Sequence, residues 1–266
     1  MAVERDVRSL QEGLKVTHRG VGRLLADLAP DAWTATVPAT PAWSVGDVVS
    51  HLAEGERAAL AVATRQPLEG AVGGDPTAAS IDQWTAGQVA AHAGETPTAR
   101  LHAWEAAADA WRWHLSAVEG DGWRQRVPWV LGPVALRTLA QLRLNEAWLH
   151  GRDIAEAVGA GFEVDPATLA WMADLAARVI PGGLSRRGRP HPGAAIVVRL
   201  GDTGEWLVGG AVGERPEPGR EPDLVLEAEP LAFVLRAAGR TRSDPWRASG
   251  DQTLAADVAA TLHSLA

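Results

Sequence analysis

The chain has no cysteine and no tyrosine, one lysine (Lys15), one asparagine (Asn145) and two phenylalanines among 266 residues. Without cysteine there can be no disulfide framework, no thiolate zinc site, no iron–sulfur cluster and no cysteine nucleophile of the protein's own. Any thiol chemistry has to be brought in by another molecule. Positive charge is also short: 25 Lys plus Arg stand against 33 Asp plus Glu, a net charge of −8. Such a chain lacks the basic surface that binding to phosphate backbones or anionic membranes requires, so neither nucleic acid nor a membrane is expected as partner. No apolar run approaches the ~18 residues of a membrane span, and the opening MAVERDVRSLQEGL has acidic residues and no apolar core. These features imply a soluble, cytoplasmic protein. The near absence of lysine beside abundant arginine, alanine and glycine points to a high-G+C genome.

What is present is periodic. Apolar residues from Val3 to Leu28 recur three and four apart, with one gap at Thr17 and His18, and predict an amphipathic helix. Ser44 with Asp47 three residues on is an N-cap of the capping-box type, opening a second helix that fades by Gln66-Pro67. A Gly-rich loop (Gly70 to Pro76) and a short helix around Ser80 to Val89 follow. A third long helix starts at Thr96 and stops by Gly120 to Gly122. A fourth runs from Val134 to about Val158 and is closed by Gly159. Four such helices suggest a bundle. Asp165 and Pro166 open a further helix ended by Pro181-Gly182-Gly183. After it, Ala194 to Leu200, Glu205 to Val212 and Asp223 to Ala228 read as strands, with a hairpin at Gly201 to Gly204. Helices at Pro230 to Ala238 and Asp251 to Leu265 close the chain. The expected architecture is a helical domain over residues 1–160 and a small α+β domain over 161–266. There is no internal repeat of 20–50 residues.

The inner stripe of the fourth helix, traced from Leu136, Leu139 and Leu142, continues through Glu146, His150, Asp153 and Ala157. Glu146 and His150 are one turn apart and can converge on one point, as can His150 and Asp153. His51, beside Val48, Leu52 and Gly55 on the second helix, faces the same interior. Two imidazoles and a carboxylate suit Zn²⁺ and similar ions, and three protein ligands leave coordination positions for water or substrate. The same residues also read as a hydrogen-bonded core histidine and an ordinary helical pair at a bundle end. His18, His92, His102, His114, His191 and His263 have no carboxylate at helical spacing on an apolar face and are taken as surface or locally bonded. The tryptophans Trp33, Trp104, Trp111, Trp113, Trp148 and Trp171 serve as aromatic filler of the core, while Trp43, just ahead of the second helix, is the candidate for a pocket wall.

At these residues the chain resembles the DinB-like four-helix metalloprotein superfamily, and within it the actinobacterial mycothiol-dependent maleylpyruvate isomerase-like enzymes. TPAWSVGDVVSHLAEGERAAL (Thr40 to Leu60) is similar to that family's Trp-led second helix with its metal-binding His. NEAWLHGRDIAEAVG (Asn145 to Gly159) is similar to its Glu-x-x-x-His-x-x-Asp helix. The resemblance implies a DinB-like four-helix bundle followed by a sterol-carrier-like α+β domain. It further implies His51, Glu146 and His150 as ligands of one divalent metal, zinc by preference, and Asp153 as a candidate catalytic residue behind them or in helix packing. PLAFVLRAAGR (Pro230 to Arg240) looks like the family's helix ending in Gly-Arg, which makes Arg240 the candidate clamp for an anionic substrate, with Arg236, Arg242 and Arg247 as rivals. Trp43 becomes the cofactor-side residue. Mycothiol, a small cysteine-containing thiol, would then be the cosubstrate, its sulfur favoured as thiolate by the metal. The implied reaction on a small molecule is cis-trans isomerisation, in which the thiolate adds to an alkene, the bond rotates and elimination follows, or S-transfer, in which it stays attached. A metal-dependent hydrolase and a non-catalytic binding protein remain open, as does monomer against dimer. The loops at Pro67 to Gly94 and Gly182 to Pro192 are expected to select the substrate.

Overall fold

The computed structural model describes residues 6–66, 78–130 and 132–262. The Gly-rich loop expected at Gly70 to Pro76, the start of the first helix at Val3, and His263 lie outside them. The chain is mostly helical with a sheet portion and forms two compact units, Val7–Val164 and a second beginning at Asp165.

In the first unit, α1 (Val7–Ala26) leads through a short 3-10 helix (Pro30–Thr34) into a two-stranded ribbon, β1 (Thr36–Val37) and β2 (Thr40–Ser44), and from there into α2 (Val45–Ala63). The start of α2 follows from its first residues. Ser44 Oγ accepts from the Asp47 backbone N–H at 3.2 Å while Asp47 Oδ2 accepts from the Ser44 N–H at 3.0 Å, so two amides that the helix cannot pair are satisfied reciprocally. After α3 (Ala78–Ala90), α4 (Pro97–Ser116) is capped by Thr96, whose hydroxyl accepts from Ala99 N–H. A 3-10 helix (Gly120–Arg124) and a second ribbon, β3 (Arg126–Val127) with β4 (Val134–Ala135), lead into α5 (Leu136–Val158). Gly159, at φ 70°, closes α5 in the left-handed conformation that glycine adopts without a Cβ penalty.

The unit uses one design twice, helix to 3-10 helix to ribbon to helix. Trp33 and Trp123 stand at corresponding places, as do Val37 and Val127, and all four are buried. The repeated stretch is longer than the 20–50 residues over which the sequence was read for periodicity, and the ribbon strands are too short to alternate visibly. Its use here is positional: α2 and α5 each follow a ribbon and pack against each other, with α4 also against α2 and α1 also against α5. Val21, Leu25, Val45, Val48, Leu52, Trp104 and Ile154 form the core between them.

Two expectations for this unit need correction. The fourth helix does not have a single inward stripe. Leu142 and Glu146 are half-buried, whereas Leu144, Ala147 and Trp148, off the traced stripe, are fully buried, because α1 and α2 cover α5 from two sides. Trp113 is not core filler, being 79% exposed on α4.

In the second unit Asp165 caps α6 (Pro166–Arg178) through the amides of Ala167 and Thr168. The helix expected over Asp165 to Val179 is present and ends there, but the Pro181-Gly182-Gly183 run expected to end it lies inside a further helix, α7 (Ile180–Arg186). Proline is tolerated in a first helical turn, whose amide is unpaired in any case. A four-stranded sheet follows in the order β6-β5-β7-β8, formed by β5 (Ala195–Leu200), β6 (Gly204–Gly209), β7 (Leu224–Ala228) and β8 (Trp246–Gly250), with α8 (Pro230–Ala237) and α9 (Gln252–Thr261). The β5–β6 hairpin is antiparallel, β5–β7 parallel and β7–β8 antiparallel. β8 was not expected, since WRASG carries no alternation of branched apolar residues. Among the described residues no helix is long and apolar enough to cross a membrane.

Candidate metal centre

α2 carries His51 on its second turn, and α5 carries Glu146 and His150 one turn apart. The two helices bring the three side chains together, one donor atom from each lying within 4.8 Å of the others. His51 Nε2 is 3.3 Å and His150 Nε2 3.5 Å from the same oxygen, Glu146 Oε2. The two imidazole rings meet edge to face at 5.1 Å. Behind them, His150 Nδ1 lies 3.2 Å from Asp153 Oδ2, whose side chain is wholly buried. With that carboxylate on its Nδ1 side, the ring presents Nε2 to Glu146, the side on which an outer carboxylate stands behind a histidine that holds a metal. In front, the indole of Trp43 on β2 is tilted against His51 with ring centroids 5.1 Å apart. Five of the residues singled out in the sequence therefore meet at one place in the first unit: His51, Glu146, His150, Asp153 and Trp43.

The electrostatics fit a cation. Burial works against ionising Glu146, yet the hydrogen bonds and charges of His150 and His51 hold its carboxyl well below the ordinary value, so it is an anion. Burial pushes the His51 imidazole down; Glu146 opposes this and the charges of His150 and Arg143 reinforce it. For His150 burial is outweighed by Asp153 and Glu146, which raise its proton affinity. A divalent ion has to displace that proton. Were these residues to hold zinc, its binding near neutral pH would release a proton from His150, and affinity would fall as pH drops through the raised pKa. Calorimetry in buffers of different ionisation enthalpy measures this. Asp153→Asn is expected to reduce the proton release and to weaken zinc by roughly 10–100-fold.

Arg240 lies just past α8 in the second unit, with Nη1 donating to Ala238 O at 2.8 Å. Of its rivals, Arg236 is committed structurally: its guanidinium donates to Leu262 O and Ala259 O at 2.6 Å and to Asp244 at 3.0 Å.

His18, expected at the surface or in a local hydrogen bond, is 2% exposed and is bonded across helices instead. Its Nδ1 accepts from Arg112 Nη1 at 3.0 Å, which leaves the proton on Nε2, 3.5 Å from Glu56 Oε1. Glu56 in turn lies 3.4 Å from Arg143 Nη2. The gap at Thr17 and His18 in the stripe of α1 was the only local sign. The partners come from α2, α4 and α5, where no helical spacing links them.

Residues 14–155 match the profile of the mycothiol maleylpyruvate isomerase N-terminal domain. Uncharacterised proteins from two strains of Mycobacterium tuberculosis are each 30% identical over 203 residues, 73% of this chain and 74% of theirs. The crystal structure of a mycothiol-dependent maleylpyruvate isomerase shares the fold at TM-score 0.61 and 16% identity, and that of a histidine-to-alanine mutant of it at 0.62 and 16%, each over 92% of this chain and 94% of the other. The profile, which spans most of the first unit and more than half of the chain, leads to one assignment: the chain belongs to the mycothiol maleylpyruvate isomerase family.

Proposed function

We propose that the protein is a metal-dependent enzyme that uses mycothiol to isomerise a maleylpyruvate-like cis-alkene or to transfer sulfur to a related electrophile. The observation that carries this is the convergence of two imidazole Nε2 atoms on one ionised carboxylate, with a buried aspartate behind one of them. His51, Glu146 and His150 would hold one divalent ion, zinc by the chemistry of the donor set. A bound ion of this kind supplies the Lewis acidity that favours the thiolate form of an incoming thiol.

The chain's own residues do the rest. Glu146 brings a negative charge that offsets the cation, and Asp153 fixes the ring of His150. Trp43 walls the His51 side with an apolar face that limits water. Arg240 is assigned to the substrate's carboxylate, and it is the residue of this reading that rests on family resemblance rather than on contacts at the triad. Within the same reading the four long helices form a DinB-like four-helix bundle and the α+β unit is sterol-carrier-like, corresponding to the expected halves 1–160 and 161–266.

The absence of cysteine makes the reading testable. Zinc-loaded protein is expected to turn over a cis-enedione acid such as maleylpyruvate only when mycothiol is supplied. Turnover that persists after every small thiol has been removed would refute the thiol step and favour hydrolytic chemistry.

A further inference from the structure

One turn after His51 on α2 stands Gly55, and one turn before Glu146 on α5 stands Arg143. The two helices run antiparallel past each other here, so these residues form the layer next to the triad. A Cβ built on Gly55 would lie 2.6 Å from Arg143 Cζ and 2.7 Å from Nη1, with Nη2 nearer still. The guanidinium therefore rests directly on the backbone of α2, and any side chain at 55 has to displace it. A glycine in mid-helix costs about 1 kcal/mol relative to alanine. The close approach is what it permits.

The guanidinium is also held by the next residue of α2, Glu56, fully buried, with Oε1 3.4 Å from Nη2 and 3.5 Å from His18 Nε2. Among the described residues Arg143 Nε has no hydrogen-bond partner. An apolar pair of equal volume would stabilise such a core at least as well as a buried ion pair with an unsatisfied N–H. What the ion pair adds is a rigid planar group of fixed thickness, wedged between the two helices that carry the ligands.

We infer that Arg143 is a positioning residue: seated on Gly55 and tied to Glu56, its guanidinium sets the spacing of α2 against α5 and so brings His51 to Glu146 and His150. The inference rests on the reading of those three residues as metal ligands.

The test is zinc titration of the full-length protein alongside its thermal unfolding. Arg143→Met/Glu56→Gln removes both charges and keeps volume; it is expected to keep Tm near the wild-type value and to bind zinc about tenfold more weakly or worse. Arg143→Lys keeps the charge opposite Glu56 but lacks the planar group, and is expected to weaken zinc by a similar factor. Gly55→Ala should weaken zinc about tenfold in the wild type but less than about threefold in the Arg143→Met/Glu56→Gln background, because the wedge it collides with is gone. Wild-type zinc affinity in both the Arg143→Lys and the double variant would overturn the positioning role and leave the triad standing. A wild-type protein that binds no zinc would overturn the triad and this inference with it.

Discussion

His150→Ala is expected to strip the purified protein of its metal. The imidazole is the most buried of the three proposed ligands and the only one with a buried carboxylate behind it, Asp153 Oδ2 at 3.2 Å. Its removal takes away one donor and the ring that Asp153 stands behind. Loss of an outer partner alone costs roughly 10–100-fold in metal affinity, so loss of a ligand together with its orienting contact should cost more than about 100-fold. Metal analysis after dialysis reads the effect: one equivalent for the wild type and close to none for the variant. An undiminished metal content in a His51→Ala, Glu146→Ala, His150→Ala triple variant would show that the metal, if any, sits elsewhere.

The second large effect is on stability. Glu56→Ala leaves Arg143 and His18 in the core without their carboxylate, and breaking a buried pair in this way costs about 3–5 kcal/mol. For a unit of this size that corresponds to a fall in Tm on the order of 10 °C. The pH dependence has a definite sign. Burial opposes ionisation of Glu56, but Arg143 and His18 outweigh it and lower its pKa. The stabilisation is therefore present in full above the ordinary carboxylate pKa and is lost as pH falls through the depressed value of the folded protein. The difference in Tm between wild type and Glu56→Ala should be largest at neutral pH and shrink in acid. A Tm unchanged at neutral pH would mean that the pair contributes nothing.

These two effects arise from features of very different visibility in the sequence. The triad is half local: Glu146 and His150 are separated by one helical turn, and α5 is announced by its apolar rhythm and by Gly159. The capping box of Ser44 and Asp47 likewise fixes the start of α2 and with it the phase of His51. Only the meeting of the two helices is non-local, and there the family resemblance joined the halves. The cluster of His18, Glu56, Arg112 and Arg143 had no such help. Each member sits on a different helix, and a charged residue on an amphipathic helix reads as solvent-facing until its partners are known. The ribbons have no sequence signature because β1, β3 and β4 are two residues long and β2, TPAWS, carries no alternation of branched apolar residues. Strand β8 escaped because an edge strand need not be apolar, and α7 because a proline that opens a helix looks like one that ends it.

The central claim is that thiol chemistry takes place at a metal held by His51, Glu146 and His150. Zinc K-edge X-ray absorption on the zinc-loaded protein, recorded with and without mycothiol, addresses it most directly. With no cysteine in the chain, thiolate sulfur near the metal can come only from the added thiol. The account predicts nitrogen and oxygen scatterers alone before addition, and one sulfur at about 2.3 Å after it. A spectrum unchanged by mycothiol would contradict it.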